Sequence, residues 1–441
     1  MKNLSVKFRE KLNELRINEI AKETGFEKRV PRKIEPIDMV AGFFLMLTSG
    51  GSTLKDWAMQ VSSIIGRTIS KQMINNKLQI RQEAFAKKLV ENALLLKIFQ
   101  GANRGRESLF AEFPNVYIED STCVSLPDNL ALEYAGAESS KGTCATARIQ
   151  LCIELISESV KRLAIKAYRE VDQKYSAQIL SLLKVGDLVM RDRGYWCLSV
   201  FKQIMDQGAF FVSRYQYNAK CLDMNTEQPF DLLRYLKKMD RLGFSVIDEK
   251  ILVGVAQKLP VRLIASKVSQ STYEARVRKA KKDRSVSTNH SSEYYQLLQW
   301  NILITNIEED VWNHGQVLRA YGFRWRIETI FKCWKSHFNV KKLFENKRSV
   351  SASRFNITCW LFLLFTIFFF FRWSIEIAAL LLDKTHKKLS VQSLANLIAF
   401  NFERLILCDN LQEWGDYFAY FATYQERKDR IDFQSLILAT K

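Results

Sequence analysis

Over the first hundred positions apolar residues return every three or four places, the spacing of helices that bury one face. Ile37 to Leu47 is an almost unbroken apolar stretch, and Leu54, Trp57, Ala58, Val61 and Ile65 form a second helical stripe. Ser70 stands as a helix cap before KQMINNKLQIRQEAFAKKLVENALLL. Residues 1–105 therefore read as helical. The texture changes at Asn115: Val116–Glu119, Ala147–Ile156, Arg162–Tyr168, Leu188–Arg191 and Ala209–Ser213 read as strands, with a helix over Leu198–Asp206 before the last. Strands interleaved with helix predict an α/β unit. GFSVIDEKILVGV and LPVRLIASKV then read as paired strands in a β-rich block over 220–295, helix returns at 313–345, and the remainder is helical.

The run Ile357–Phe371 holds 15 residues without a charge between Arg354 and Arg372. A membrane span needs about 20, so a buried core helix is the reading and no membrane partner is expected. At 47% hydrophobic and 26% charged, the chain is neither disordered nor fibrous. Eight cysteines form no CxxC pair and the four histidines lie far apart, which excludes zinc-finger spacing. The N-terminal segment lacks the apolar core of a signal peptide, so reduced thiols and a cytoplasmic location are expected. A formal charge of +19 favours a polyanionic partner, nucleic acid first. Within the helical region, two short helices with a basic, amide-rich second start resemble a helix-turn-helix, with Lys71, Gln72, Asn75 and Asn76 on its exposed side. RVRKAKKDR, six basic residues in nine, is a solvated surface or a phosphate-facing arm.

Three acids stand where chemistry would need them. Asp120 ends VYIED and Asp192 ends LVMRD; strand-end carboxylates in an open α/β sheet face the crevice where ligands bind. Asp187 precedes its strand and reads as a turn residue. The third acid lies in AYGFRWRIETIFKCWKSHF. At about 100° per residue from Tyr321, Arg324 falls near 300°, Glu328 near 340° and Lys335 near 320°. Phe323, Ile327, Ile330 and Trp334 take the core arc, and Trp325 lies outside it. Such a stripe reads either as an i,i+4 Arg–Glu surface pair or as a functional face, and a surface pair would not require the tyrosine.

The spacing Tyr321, Arg324, Glu328, Lys335 resembles the Y-R-E-K signature of bacterial insertion-sequence DDE transposases of the type-four family, related to the Tn-five enzyme. Asp120 in D-S-T and Asp192 in D-R-G-Y resemble that family's first two acids. Trp300 in QWNILITN resembles its W-x-L-L-T tryptophan, 21 residues before the tyrosine, and Arg214 in FFVSR its basic residue after the second acid. The resemblance covers roughly 115–345. It implies a ribonuclease-H-like α/β core in two parts, 106–219 and 296–375, interrupted by the inserted β-rich subdomain 220–295. Helical regions 1–105 and 376–441 would flank it.

The resemblance further implies two Mg²⁺ ions, with Mn²⁺ as a substitute, held by Asp120, Asp192 and Glu328. Three carboxylates suit a hard cation and phosphodiester chemistry. Tyr321, Arg324 and Lys335 would grip the adjacent phosphate, and a flipped base would stack on Trp300 or Trp325. The implied activity is strand cleavage and strand transfer at terminal inverted repeats, through a hairpin. The implied partners are double-stranded DNA and a second protomer in a synaptic homodimer. The competing class is a catalytically inactive DNA-binding derivative, which metal-dependent nicking of a DNA end would separate.

Overall fold

In the computed structural model the described residues are 2–27, 33–96, 109–139, 142–282, 290–345, 349–385 and 387–424. Two compact units share them. One gathers the described residues of 1–103, 121–170 and 325–435; the other gathers those of 104–120 and 171–324. The chain crosses from unit to unit at Asp120/Ser121, Glu170/Val171 and Arg324/Trp325.

Ten strands occur among the described residues: β1 Val116–Ser125, β2 Ala135–Ser139, β3 Gly142–Glu154, β4 Ser159–Ala167, β5 Leu188–Arg191, β6 Phe210–Arg214, β7 Cys221–Asp223, β8 Val246–Val253, β9 Leu259–Lys267 and β10 Trp300–Thr305. The class is α/β. In the second unit β1, β5 and β6 run parallel, with Val116 opposite Leu188, Glu119 opposite Arg191 and Arg191 opposite Ser213. All four residues of β5 are buried, as a strand covered on both faces requires. Helix Leu198–Asp206 follows β5, packing Phe201 flat on Phe211 with ring centres 4.5 Å apart.

The strands of 220–295 pair as expected but do not stand apart from the sheet. β10 runs antiparallel to β6 on one side and to β9 on the other, β9 pairs with β8, and β8 with β7. The same sheet therefore runs from β1 to β7. The expected separate subdomain is corrected to an extension of it. The reason is backbone hydrogen bonding: β9 spends its second edge on six residues of β10, from Trp300 opposite Lys267 to Thr305 opposite Arg262.

The first unit is mostly helical, with an antiparallel β2–β3–β4 ribbon. Helix Leu54–Ile65 starts at a reciprocal cap: Asp56 N–H donates to Thr53 Oγ1 (3.1 Å), and Thr53 N–H donates to Asp56 Oδ2 (2.9 Å). Ser70 does cap a helix, but that helix is only Lys71–Asn75; a 3₁₀ turn separates it from helix Glu83–Leu95. The stretch after Ser70 is thus two helical pieces, the first of them short. Ile74 and Leu78 turn inward at the break and anchor it.

The apolar run Ile357–Phe371 lies in helix Ala352–Phe365 and a π-helical continuation, Thr366–Phe371. Phe365 packs on Phe44 (5.5 Å between ring centres), and Phe369 on Phe402 (5.1 Å). Ala352–Thr385 is long and apolar enough to cross a membrane by length and composition, yet 78% of its most apolar window is buried within the fold. The C-terminal helices, including Val391–Leu407, belong to this same unit and not to a region of their own.

Candidate active site

Register places the two aspartates. Glu119 and Arg191 are the last paired residues of β1 and β5, so Asp120 and Asp192 are the next step on adjacent parallel strands. Asp192 keeps an extended backbone (φ −87°, ψ 171°), and strands lie about 4.8 Å apart with in-register side chains on one face. Asp120 does not end its strand. β1 continues to Ser125 after its pairing with β5 has stopped. Arg214, one step beyond Ser213 on β6, occupies the corresponding position one strand further on. The row is therefore Asp120, Asp192, Arg214.

Period two sends their neighbours to the opposite face, where Arg191 and Glu119 form an ion pair at 2.7 Å, 0% and 1% exposed. Arg191 also donates to the Ser176 carbonyl at 2.5 Å. This pair locks the register that aligns the aspartates. Sequence reasoning passed over it, although the signal was available: in VYIED and LVMRD a Glu and an Arg each precede the acid by one residue.

The Y-R-E-K residues do not share one helix. His314–Gly322 ends, Phe323 and Arg324 form a turn, and a new helix runs Trp325–Ser336. Phe323 N–H donates to the Ala320 carbonyl (3.0 Å) and Arg324 N–H to that of Tyr321 (3.2 Å), a tightening by one residue that breaks the 100° progression. Buried Phe323 pins the turn on Phe110. Tyr321 and Arg324 consequently point inward and not along an open stripe. Tyr321 is buried and donates to the Arg191 carbonyl (3.2 Å), with Asp192 Oδ1 at 3.4 Å. Arg324 Nη1 donates to Asp120 Oδ2 at 2.8 Å.

Charge and burial oppose each other here. Burial pushes the Asp192 carboxyl up, but Arg324 above all, the Arg193 backbone N–H, Arg214 and the Arg193 side chain outweigh it and hold the group below the ordinary range. Burial, then the Asp192 charge, pushes the Tyr321 hydroxyl well up, so it is a donor at neutral pH. An ionised carboxylate beside a second one on the same face is a hard-oxygen donor set that fits Mg²⁺ or Mn²⁺. Within this unit no third His, Cys, Asp or Glu among the described residues completes a metal cluster.

Glu328, Lys335 and Trp325 lie in the other unit, on helix Trp325–Ser336. Glu328 is in that helix's first turn, where the helix dipole favours a carboxylate. Trp325 is 51% exposed, with the Lys332 ammonium 4.2 Å from its ring centre. Trp300 is buried on β10, which corrects the expectation that a base could stack on it. Lys71 and Gln72 are exposed, and the Gln72 amide donates to Asn76 at 3.0 Å. Asp187 caps a turn, accepting from Lys184 N–H (2.8 Å) and the Asn115 amide (2.7 Å).

Two aspartates therefore stand in register on adjacent parallel strands, with Arg324 paired to Asp120, in a chain of α/β class. Residues 111–364 match the family described as the transposase DDE domain, and the chain belongs to that family. It is 25% identical over 393 residues to the transposase for insertion sequence element IS231F of Bacillus thuringiensis subsp. israelensis, covering 85% of this chain and 80% of that one. It is 23% identical over 373 residues to the transposase for IS1151 of Clostridium perfringens, covering 80% and 77%. Among solved structures, the piggyBac transposase synaptic complex with hairpin DNA overlaps 98% of this chain and 87% of that one at 10% identity, with a TM-score of 0.42.

Proposed function

We propose that this protein is the transposase of an insertion sequence, acting on double-stranded DNA at the element's terminal inverted repeats. The observation that carries the reading is the row Asp120–Asp192 with Arg324 on it, inside a chain of the transposase DDE family. A ribonuclease-H-like core is the matching fold: parallel β1, β5 and β6 follow the order in which such a sheet presents its acids.

Asp120 and Asp192 would hold divalent metal together with Glu328, four residues beyond Arg324 in the sequence. When bound, Mg²⁺ would activate the attacking oxygen and stabilise the leaving one. The chain's own groups do the rest. Arg324 is positioned to exchange its carboxylate for a phosphodiester oxygen as negative charge builds. Tyr321, through its hydroxyl, fixes the carbonyl that precedes Asp192 and so orients that acid. Lys335 supplies a second cationic contact to the backbone, and exposed Trp325 a surface for an unstacked base.

Water would hydrolyse one phosphodiester and leave a 3′-hydroxyl. That oxygen would then displace the opposite strand's 3′-oxygen to close a hairpin, and a second hydrolysis and transfer would follow. Homodimeric synapsis and a cytoplasmic, nucleoid-associated location complete the proposal.

The test is a labelled duplex carrying the element's end, incubated with the protein and Mg²⁺. Nicking by the native chain, abolished in Asp120→Asn, Asp192→Asn and Glu328→Gln with DNA binding retained, supports the reading. Cleavage that survives all three substitutions overturns it.

A further inference from the structure

Beyond the aspartates, three arginines of the same unit act on one another and form no ion pair with its described carboxylates. Arg193 follows Asp192, Arg214 ends β6, and Arg276 lies on helix Gln270–Lys282. Among the described residues none of the three forms an ion pair, whereas Arg191, Arg262 and Arg324 nearby all do. Arg276 Nη1 is anchored to two backbone carbonyls, Leu298 at 3.2 Å and Trp300 at 3.1 Å. Carbonyls fix its position without cancelling its charge.

The Arg193 guanidinium lies over the Tyr217 ring, 5.0 Å from its centre. Tyr217 meets Tyr294 edge-on at 5.2 Å, and His290 stacks on Tyr294 at 4.0 Å and 14°. Burial, then the like charge of Arg214, with Tyr217 opposing and Arg193 adding to it, lowers the Arg276 pKa, so the three cations sense one another. Of these, Arg214 and Arg193 also act on Asp192, as Arg324 does. Asp192 offsets only part of these like charges, and a bound polyanion would offset the rest.

We propose that Arg193, Arg214, Arg276 and Tyr217 form a phosphodiester site on the Asp192 side of the acid row, separate from the Tyr321–Arg324–Lys335 contact. It takes the DNA backbone next to the phosphate at the acids, and the Tyr217–Tyr294–His290 row lies alongside the adjoining sugar and base. Arg276 and Tyr217 fall outside the family motifs that hold Arg193, in D-R-G-Y, and Arg214. Fixed guanidiniums suit this ligand because each presents parallel N–H donors to two phosphate oxygens. The inference rests on the proposed reading that the substrate is DNA.

The experiment is fluorescence-anisotropy titration of the full chain with a labelled DNA end in EDTA, over a range of salt concentrations. Without divalent metal, binding is read apart from catalysis. Arg276→Gln and Arg193→Gln are each expected to weaken binding about tenfold and to lower the salt slope by about 0.7–0.9. Tyr217→Leu should weaken binding several-fold without changing the slope, since it removes no charge.

Arg276 also ties down carbonyls, so its variant is compared by thermal melting. Arg193→Gln breaks no such tie and keeps the test decisive if Arg276→Gln misfolds. Folded variants with native affinity and native slope would overturn the site. Failure of the native protein to bind or nick DNA would instead overturn the proposed function, so the two failures are distinguishable.

Discussion

Removing the carboxylate of Glu119 should unfold this protein more readily than any change to its exposed charges. Glu119→Gln leaves the Arg191 guanidinium, 0% exposed, without the partner it holds at 2.7 Å. Breaking a buried pair from one side costs about 3–5 kcal/mol, because an uncompensated charge stays out of water. Arg191 keeps its bonds to the Ser176 carbonyl (2.5 Å) and hydroxyl (3.4 Å), and its guanidinium lies 5.5 Å from the Tyr195 ring centre. That residual satisfaction points to the lower end, about 3 kcal/mol.

The companion Glu119→Leu/Arg191→Met variant removes both charges and should recover most of the loss, since an apolar pair of similar volume pays no desolvation. Urea unfolding followed by circular dichroism measures all of these variants. DNA nicking by the same proteins measures whether β1–β5 alignment matters to the acids one residue on. A Glu119→Gln loss below about 1 kcal/mol, the range of solvent-exposed pairs, would refute the reasoning. So would a double variant no more stable than the single one.

Tyr321→Phe deletes the hydroxyl that donates to the Arg191 carbonyl, and should cost about 0.5–1.5 kcal/mol in the same urea assay. The Asp192 carboxyl is held below its unfolded value, so its contribution to stability is complete above about pH 3.9 and is lost as the pH falls through the lower, folded value. Arg324→Gln should move that loss to higher pH, read by acid titration of unfolding. Trp300→Ala should cost about 3–5 kcal/mol from a filled core position. Trp325→Ala, half exposed, should change stability by less than about 0.5 kcal/mol, which melting curves separate.

Local pattern was enough for the elements nearest the site. LVMR is short, apolar and bounded by turn residues, and β5 occupies those four positions; Leu198–Asp206 has one apolar face and is the helix expected there. The acids at positions 120 and 192 and the family signature could likewise be read from residue identity and spacing, because neither depends on what packs against them. The +19 charge was equally visible.

What pattern could not supply was the partner of each edge and the direction of each side chain. Whether β8 and β9 close on themselves or join β10 depends on which backbone edge is free in three dimensions, and periodicity within a strand carries no information about that. The helical wheel failed for Tyr321 and Arg324 because buried Phe323 imposes one tight turn, and its two i→i−3 hydrogen bonds shift every later angle. Glu119 and Arg191 sit 72 positions apart along the chain and meet only once β1 and β5 are in register. Residue chemistry and spacing are local properties that survive in an unfolded chain. Strand partnership, burial and charge pairing exist only after distant segments have been brought together.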